Sequence, residues 1–150
     1  LGLNVNKPTP SHSFQSLLEQ LNIGVDPLQR YISVHFGGQV ENGPGFVLHS
    51  ADYGDNSSTL RVGAGFGMTA TVDILEDIAR GDGPEDAILT LGYAGWGPGQ
   101  LESEILANGW LTCDASGEIV FRTDDDGKWA AALSSIGVDP LTLSATAGRA

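Results

Sequence analysis

The chain has a single cysteine, a single methionine and only seven lysine and arginine residues among its 150. Each shortage closes off a class of protein. Cys113 has no second thiol to pair with, so an intrachain disulfide is excluded and a reducing compartment is the simpler expectation. Against the seven basic residues stand 19 acidic ones, giving a formal net charge of -12. Nucleic-acid affinity rests largely on Lys and Arg contacts to phosphate, so no direct grip on nucleic acid is expected, and the same charge disfavours an anionic membrane surface. No apolar run approaches the roughly 20 residues that a membrane span needs. Residue 1 opens directly into a strand-like stretch with no basic segment or hydrophobic leader, so no signal peptide is read, and the missing initiator methionine points to a shortened chain. What is present, 41% hydrophobic and 17% charged residues, fits one globular domain over residues 1–150.

The chain is organised around residues 87–112. Residues 87–91 form an apolar run interrupted only by Thr90, as in a strand buried on both faces. Gly92, Gly95, Gly97 and Gly99 follow, and Pro98 suits the first position of a helix with Gly97 as its cap. From that start Leu101 and Ile105 share one side, while Gln100, Glu104 and Asn108 form a neighbouring polar stripe, and Gly109 ends the helix. A further strand is expected to begin at residues 110–112. Trp96 and Trp110 bracket the unit, and both read as core anchors.

Elsewhere the periodicities place the remaining elements. Leu1, Leu3 and Val5 alternate like a strand with one buried face, ahead of the turn-prone Asn6, Lys7 and Pro8. Phe14, Leu17, Leu18 and Leu21 recur at helical spacing behind Ser11 and Ser13, with Gly24 and Pro27 closing the helix. Ile32, Val34 and Phe36 alternate with Ser33 and His35, which predicts a half-buried strand, and Gly37 with Gly38 marks a bulge or turn. The short connection Asn42, Gly43, Pro44, Gly45 predicts a hairpin between that strand and the next, over residues 43–51. Leu60 and Val62 resume strand character, made irregular by Gly63, Gly65 and Gly67, and residues 68–71 lead into a helix with Ile74, Leu75, Ile78 and Ala79 inward. After the central unit come a strand at 119–121, a charged turn at 124–126, a helix over 128–136 carrying Trp129, Leu133 and Ile136 inward, and a frayed tail from residue 144. Strands and helices mix without regular alternation, which is the α+β class.

The candidate chemistry is sparse. Gly95, Gly97 and Gly99 lie between a strand and a helix, but a dinucleotide fingerprint needs its third glycine where Gln100 stands, and a Walker loop needs a lysine that is absent. A structural turn is the preferred reading. Glu102 and Glu104, two apart on a helix, point to different sides and cannot pair as acid and base. Glu104 with Gln100 and Asn108 could still hold a small polar ligand, but a solvated face or a structural network is the preferred reading. Asp124, Asp125 and Asp126 lack the calcium-loop pattern, since Arg122 occupies the position five before Gly127. His12, His35 and His49 have no zinc spacing, Cys113 reads as a buried structural thiol, and the Asn56 sequon is idle without a secretory route. No metal and no cofactor is expected.

Asn6, Lys7 and Pro8, the pair Gly37 and Gly38, Leu48 with His49, and above all the run GYAGWGPGQLESEILANGWL at residues 92–111 resemble the AlgH/YqgE family of bacterial proteins. The resemblance covers essentially the whole chain. It implies an α+β fold whose mixed, branched sheet curls into a partial barrel with about four helices, a cytoplasmic location, and a role in regulation. It implies no catalytic set. Two departures stand out: the family has a further segment before the strand matching residues 1–5, and it has proline where Gln39 stands.

The expectation is therefore a non-enzymatic cytoplasmic protein, an indirect transcriptional regulator that works through a protein partner and not through nucleic acid or membrane. The alternative is a small-ligand sensor or an enzyme centred on Trp96, Gln100 and Glu104. The candidate ligand or partner site gathers Asn6, Lys7 and His49 from the other matching pieces with Trp96, Gly97, Gly99, Gln100 and Glu104. A strand at residues 1–5 lacking its family neighbours is further expected to drive association between copies, or to leave the chain less stable than a longer one.

Overall fold

A computed structural model of the chain describes residues 1–25, 27–40, 45–54 and 57–143. The expected turn at Asn42, Gly43 and Pro44, the sequon residue Asn56 and the tail from residue 144 lie outside them. The chain divides into two compact units, Leu1–Gly95 and Trp96–Ala150.

The first unit is built on an open, five-stranded mixed sheet. β1 (Val34–Phe36), β2 (Phe46–Ser50), β3 (Thr59–Val62), β4 (Phe66–Thr69) and β5 (Ala87–Leu91) stand in the order β1-β5-β2-β4-β3. Only β1 and β5 run parallel. The predicted hairpin between β1 and β2 is not formed, because β5 lies between them and pairs with both. That central place suits its composition: Ile88, Leu89 and Thr90 are buried one after another, as a strand covered on both faces requires. Val34, Leu89, Val47 and Thr69 stand abreast across four strands. The three aliphatic members of that row join a core closed by Phe14 and Leu18 of α1 (Phe14–Gln20) and by Ile74, Leu75, Ile78 and Ala79 of α2 (Val72–Ala79). Burying each such aliphatic side chain stabilises the fold by about 1.5–3 kcal/mol.

The helix ends show what the sequence specified locally. Ser13 caps α1 in a reciprocal box with Ser16, each side chain accepting from the other's backbone N–H at 3.1 Å. Its far end is set by Asn22 and not by Gly24 and Pro27: Asn22 takes φ 56°, its N–H bonds the Glu19 carbonyl, and the Ile23 N–H reaches back to Leu18 at 2.9 Å. In the same way α2 ends at Gly81, as expected.

Three strand expectations need correction in this unit. Residues 1–5 form no ladder; Gly2 and Ala94 exchange two 2.8 Å bonds and the Asn4 N–H reaches the Gly37 carbonyl. In β1, His35 is buried beside Val34 instead of facing solvent. The extended stretch at residues 7–9 lies along that strand's outer edge, where the Phe36 N–H meets the Lys7 carbonyl at 2.8 Å and the Thr9 N–H meets that of Val34. Finally, Met68 belongs to β4, and the glycine-rich segment is an ordinary β3–β4 hairpin.

The second unit is helical. It holds α3 (Gln100–Leu106), a wide helical turn at Glu118–Arg122, α4 (Asp125–Ser135) and a short 3-10 turn at Pro140–Thr142. The strands expected at 110–112 and 119–121 are absent. Three apolar residues at 119–121 are too few for period to decide between strand and helix. Bonds from the Val120 N–H to the Ser116 carbonyl and from the Thr123 N–H to the Glu118 carbonyl close them into a helical turn. α4 begins at Asp125, earlier than expected, with Asp125 and Asp126 in its first turn where the helix dipole favours negative charge. Its inward side chains are Leu133 and, unexpectedly, Lys128, whose ammonium meets Asp125 at 2.8 Å. Trp129 is 55% exposed and Ile136 39%. Among the described residues no helix is long and apolar enough to cross a membrane.

Candidate functional site

The glycine-rich turn begins the second unit's chemistry. Gly97, Pro98, Gly99 and Gln100 form a turn closed by the Gln100 N–H on the Gly97 carbonyl at 3.1 Å. Pro98 occupies its second position and Gly99, with φ 74°, its third, the pairing that a type II turn demands. The turn consumes Pro98, so α3 starts at Gln100, two residues later than expected, with Gly99 as its cap. The Gln100 side chain folds back and accepts from the Gly97 N–H at 3.0 Å.

One turn along the helix, Glu104 collects three donors. Gln100 Nε2 reaches its Oε1 at 3.1 Å, while the indole N–H groups of Trp96 and Trp110 reach its Oε2 at 3.1 and 2.7 Å. Trp110 can turn back to Glu104 because Asn108, at φ 61°, ends α3 in a left-handed cap, with the Gly109 N–H bonded to the Glu104 carbonyl at 2.8 Å. Asn108 is therefore a terminator and not part of a polar stripe. The two indole rings meet edge to face, 5.9 Å apart at 72°. Donation by Trp110, then Gln100, then Trp96 holds the Glu104 carboxyl below its ordinary range.

That arrangement has a definite chemical limit. A general acid at neutral pH needs a raised carboxyl pKa, and Glu104 is moved the other way. Both of its oxygens already accept from neutral protein donors, so the group clamps the turn to the helix. Trp96, Gly97, Gln100 and Glu104 thus come together, and Trp110, read from sequence as a core anchor, is their fifth member at 48% exposure. Removing it would cost less than the about 3–5 kcal/mol of a fully buried indole. Leu106, at 85% exposed, and Leu111, at 59%, lie beside these residues in sequence.

The other candidates belong to the first unit. Asn6 is exposed, its N–H on the Asn4 side chain, and the Lys7 ammonium stands 4.9 Å from the centre of the Phe36 ring. His49 is fully buried. Its Nδ1 lies 2.7 Å from the Ser50 carbonyl, which can only accept, so the proton sits there and Nε2 accepts from the Thr69 hydroxyl at 2.9 Å. Thr69 and Thr59 hydroxyls meet at 2.8 Å, extending the chain across three strands. The Tyr53 ring packs edge-on to the imidazole, and its hydroxyl donates to Asp77 of α2 at 2.6 Å. Burial, then that hydrogen bond, pushes the Tyr53 phenol up to about 12. Burial is also the main reason that the His49 pKa falls below its ordinary value. Gly67 beneath the ring leaves it room: a Cβ there would lie 2.5 Å from the imidazole Cε1. His49 is thereby a pin within the sheet, closed to a ligand. Cys113, expected to be buried, is exposed. Among the described residues no three His, Cys, Asp or Glu side chains gather as metal ligands would.

An open mixed sheet backed by two helices, and a helical unit fastened by an indole and carboxylate clamp, define an α+β protein whose Glu104 and His49 clusters are hydrogen-bonded from within their own units. The chain belongs to the AlgH-like family, whose profile matches residues 1–141. It is similar to the UPF0301 protein of Cereibacter sphaeroides, 58% identical over 150 residues that span 100% of this chain and 82% of that protein. The UPF0301 protein of Ruegeria pomeroyi is 56% identical over 151 residues, with the same coverage. The solution structure of the AlgH protein from Pseudomonas aeruginosa is 38% identical, with a TM-score of 0.75 over 95% of this chain and 76% of that one. Membership carries the fold, and the resemblance seen in the sequence is a true kinship.

Proposed function

We propose that the chain is a non-enzymatic binding protein of the cytoplasm that acts on regulation, transcription included, through a protein partner. The observation that carries this reading is the apolar surface of the second unit, where Trp110, Leu111 and Trp129 line one groove and stay between 48% and 59% exposed. Exposed tryptophans clustered with leucines mark protein contacts more often than they mark idle surface. The Glu104 carboxylate, already accepting from three side chains of its own unit, supports the same reading over a small-ligand sensor or an enzyme at Trp96, Gln100 and Glu104, because a ligand would have to compete with those bonds. Affinity capture from the source cell tests it. A single protein recovered at stoichiometric yield, and lost with Leu111→Ser and Trp129→Gln, is the expected result. A small molecule retained in native mass spectrometry, with no protein recovered, would overturn it.

A further inference from the structure

We propose that the second unit receives a short amphipathic helix, apolar on one face and flanked by lysine or arginine; the proposal rests on the protein-binding reading and names the partner's chemistry. The receiving feature is a groove of about 340 Å³ lined by Trp110, Leu111, Trp129, Leu133, Ile136 and Leu143. Trp129, Leu133 and Ile136 follow one another at four and three residues along α4, the spacing of a single helical stripe. Only Leu133 is buried; Trp129 and Ile136 stand out on either side of it. A stripe filled at its centre and open at its ends is the surface into which the side-chain ridge of another helix packs.

Charge selects among helices. Residues 96–150 contain eight acidic and three basic residues. In sequence Asp114 follows the groove residue Cys113, Asp126 precedes Trp129 by one turn of α4, and Asp139, whose side chain caps the turn at Leu141, lies between Ile136 and Leu143. The basic Lys128 is buried against Asp125 and offers an incoming chain nothing. An acidic helix would meet repulsion here, and so would a second copy of this chain, which carries -12 itself.

The test uses the full chain and three 14-residue probes: a peptide with leucine on one helical face and lysine on the other, a scrambled peptide of the same composition, and the amphipathic pattern with glutamate for lysine. Tryptophan emission and the rate of N-ethylmaleimide reaction at Cys113, an exposed residue of the groove, report occupancy. The leucine–lysine helix should bind one to one, at least about tenfold more tightly than the scrambled peptide, and should slow alkylation several-fold. Trp129→Gln with Ile136→Ser, both at exposed positions, should weaken binding by about tenfold or more, as loss of central contacts does. Asp114→Asn, Asp126→Asn and Asp139→Asn together should weaken it and flatten its salt dependence. Equal binding of the scrambled or glutamate peptide, indifference to the Trp129 and Ile136 changes, or a dimer in light scattering that protects Cys113 would each overturn the proposal. If the peptides fail while a captured protein is lost with Leu106→Ser, this groove is the wrong surface and the protein-binding reading stands. If capture fails as well, both fall.

Discussion

Glu104 carries its charge among neutral donors, and that makes it a reporter for the clamp it holds. Its folded pKa lies below the ordinary 4.5, so the unfolded chain binds the proton more readily. The clamp's contribution is complete above the unfolded value and is lost as pH falls from there through the folded one. Tryptophan emission followed from pH 7 to pH 2 should show a step in that lower window, and Glu104→Gln should erase it. A step that survives the substitution would assign it to another carboxyl. His49 obeys the same sign for a different reason: its neutral form is the one that burial favours, with Arg61 opposing the charge and Asp52 only partly restoring it. Stability tied to His49 is complete above 6.5 and declines as pH falls toward the lowered value. The ring protons of His49 in an NMR titration should therefore move at a pH below 6.5, the ordinary imidazole value. At this scale the sequence was most legible where residue type and offset suffice: Gln100 and Glu104, four apart on a helix, are bonded as their spacing implied. Trp110 was misread because only the left-handed Asn108 brings it back to Glu104, and Asn108 had been placed on a stripe.

Elements with strong amphipathic period and local caps emerged as read, and those defined by distant partners did not. α1 and α2 carry their own instructions in Ser13, in Gly81 and in the spacing of Ile74, Leu75 and Ile78. β1 misled because its alternation is overridden by residues 7–9 along its edge, and the β1–β2 hairpin failed because β5, some 40 residues further on, takes the place between them. α4 misled on its inward face: one short ion pair lets Lys128 go in, and Trp129 comes out. Gly67 is the instructive case, since a glycine inside a strand pattern suggested irregularity when the strand is regular and the glycine makes room for a ring. Gly67→Ala should destabilise the chain by about 1–3 kcal/mol, the range for overpacking, as read by denaturant midpoints. Gly65→Ala, where an added Cβ meets open space, is the control and should change little. Equal effects at both positions would mean that the His49 ring has slack that its contacts do not show.

Charge is the property that belongs to the whole molecule, and it decides whether the chain can meet DNA directly. The formal -12 opposes a polyanion at every orientation, so binding would need a concentrated basic face to overcome it. Four of the seven cations are already engaged within the fold. Arg30 spends its guanidinium on the Pro84 and Glu85 carbonyls, Arg61 on those of Ala51 and Gly54, and Lys128 on Asp125. Lys7 rests on the Phe36 ring. Specific readers of duplex DNA bind at about 10⁻⁸ M or tighter at physiological salt and do so through several phosphate contacts at once. We therefore expect fluorescence anisotropy with labelled duplexes to show no sequence-selective binding at physiological salt, and any weak association at low salt to vanish as salt rises. Submicromolar, sequence-selective binding that persists in added salt would remove the argument for a protein intermediary, because the chain would then be reading DNA with a surface that its charge says it cannot have.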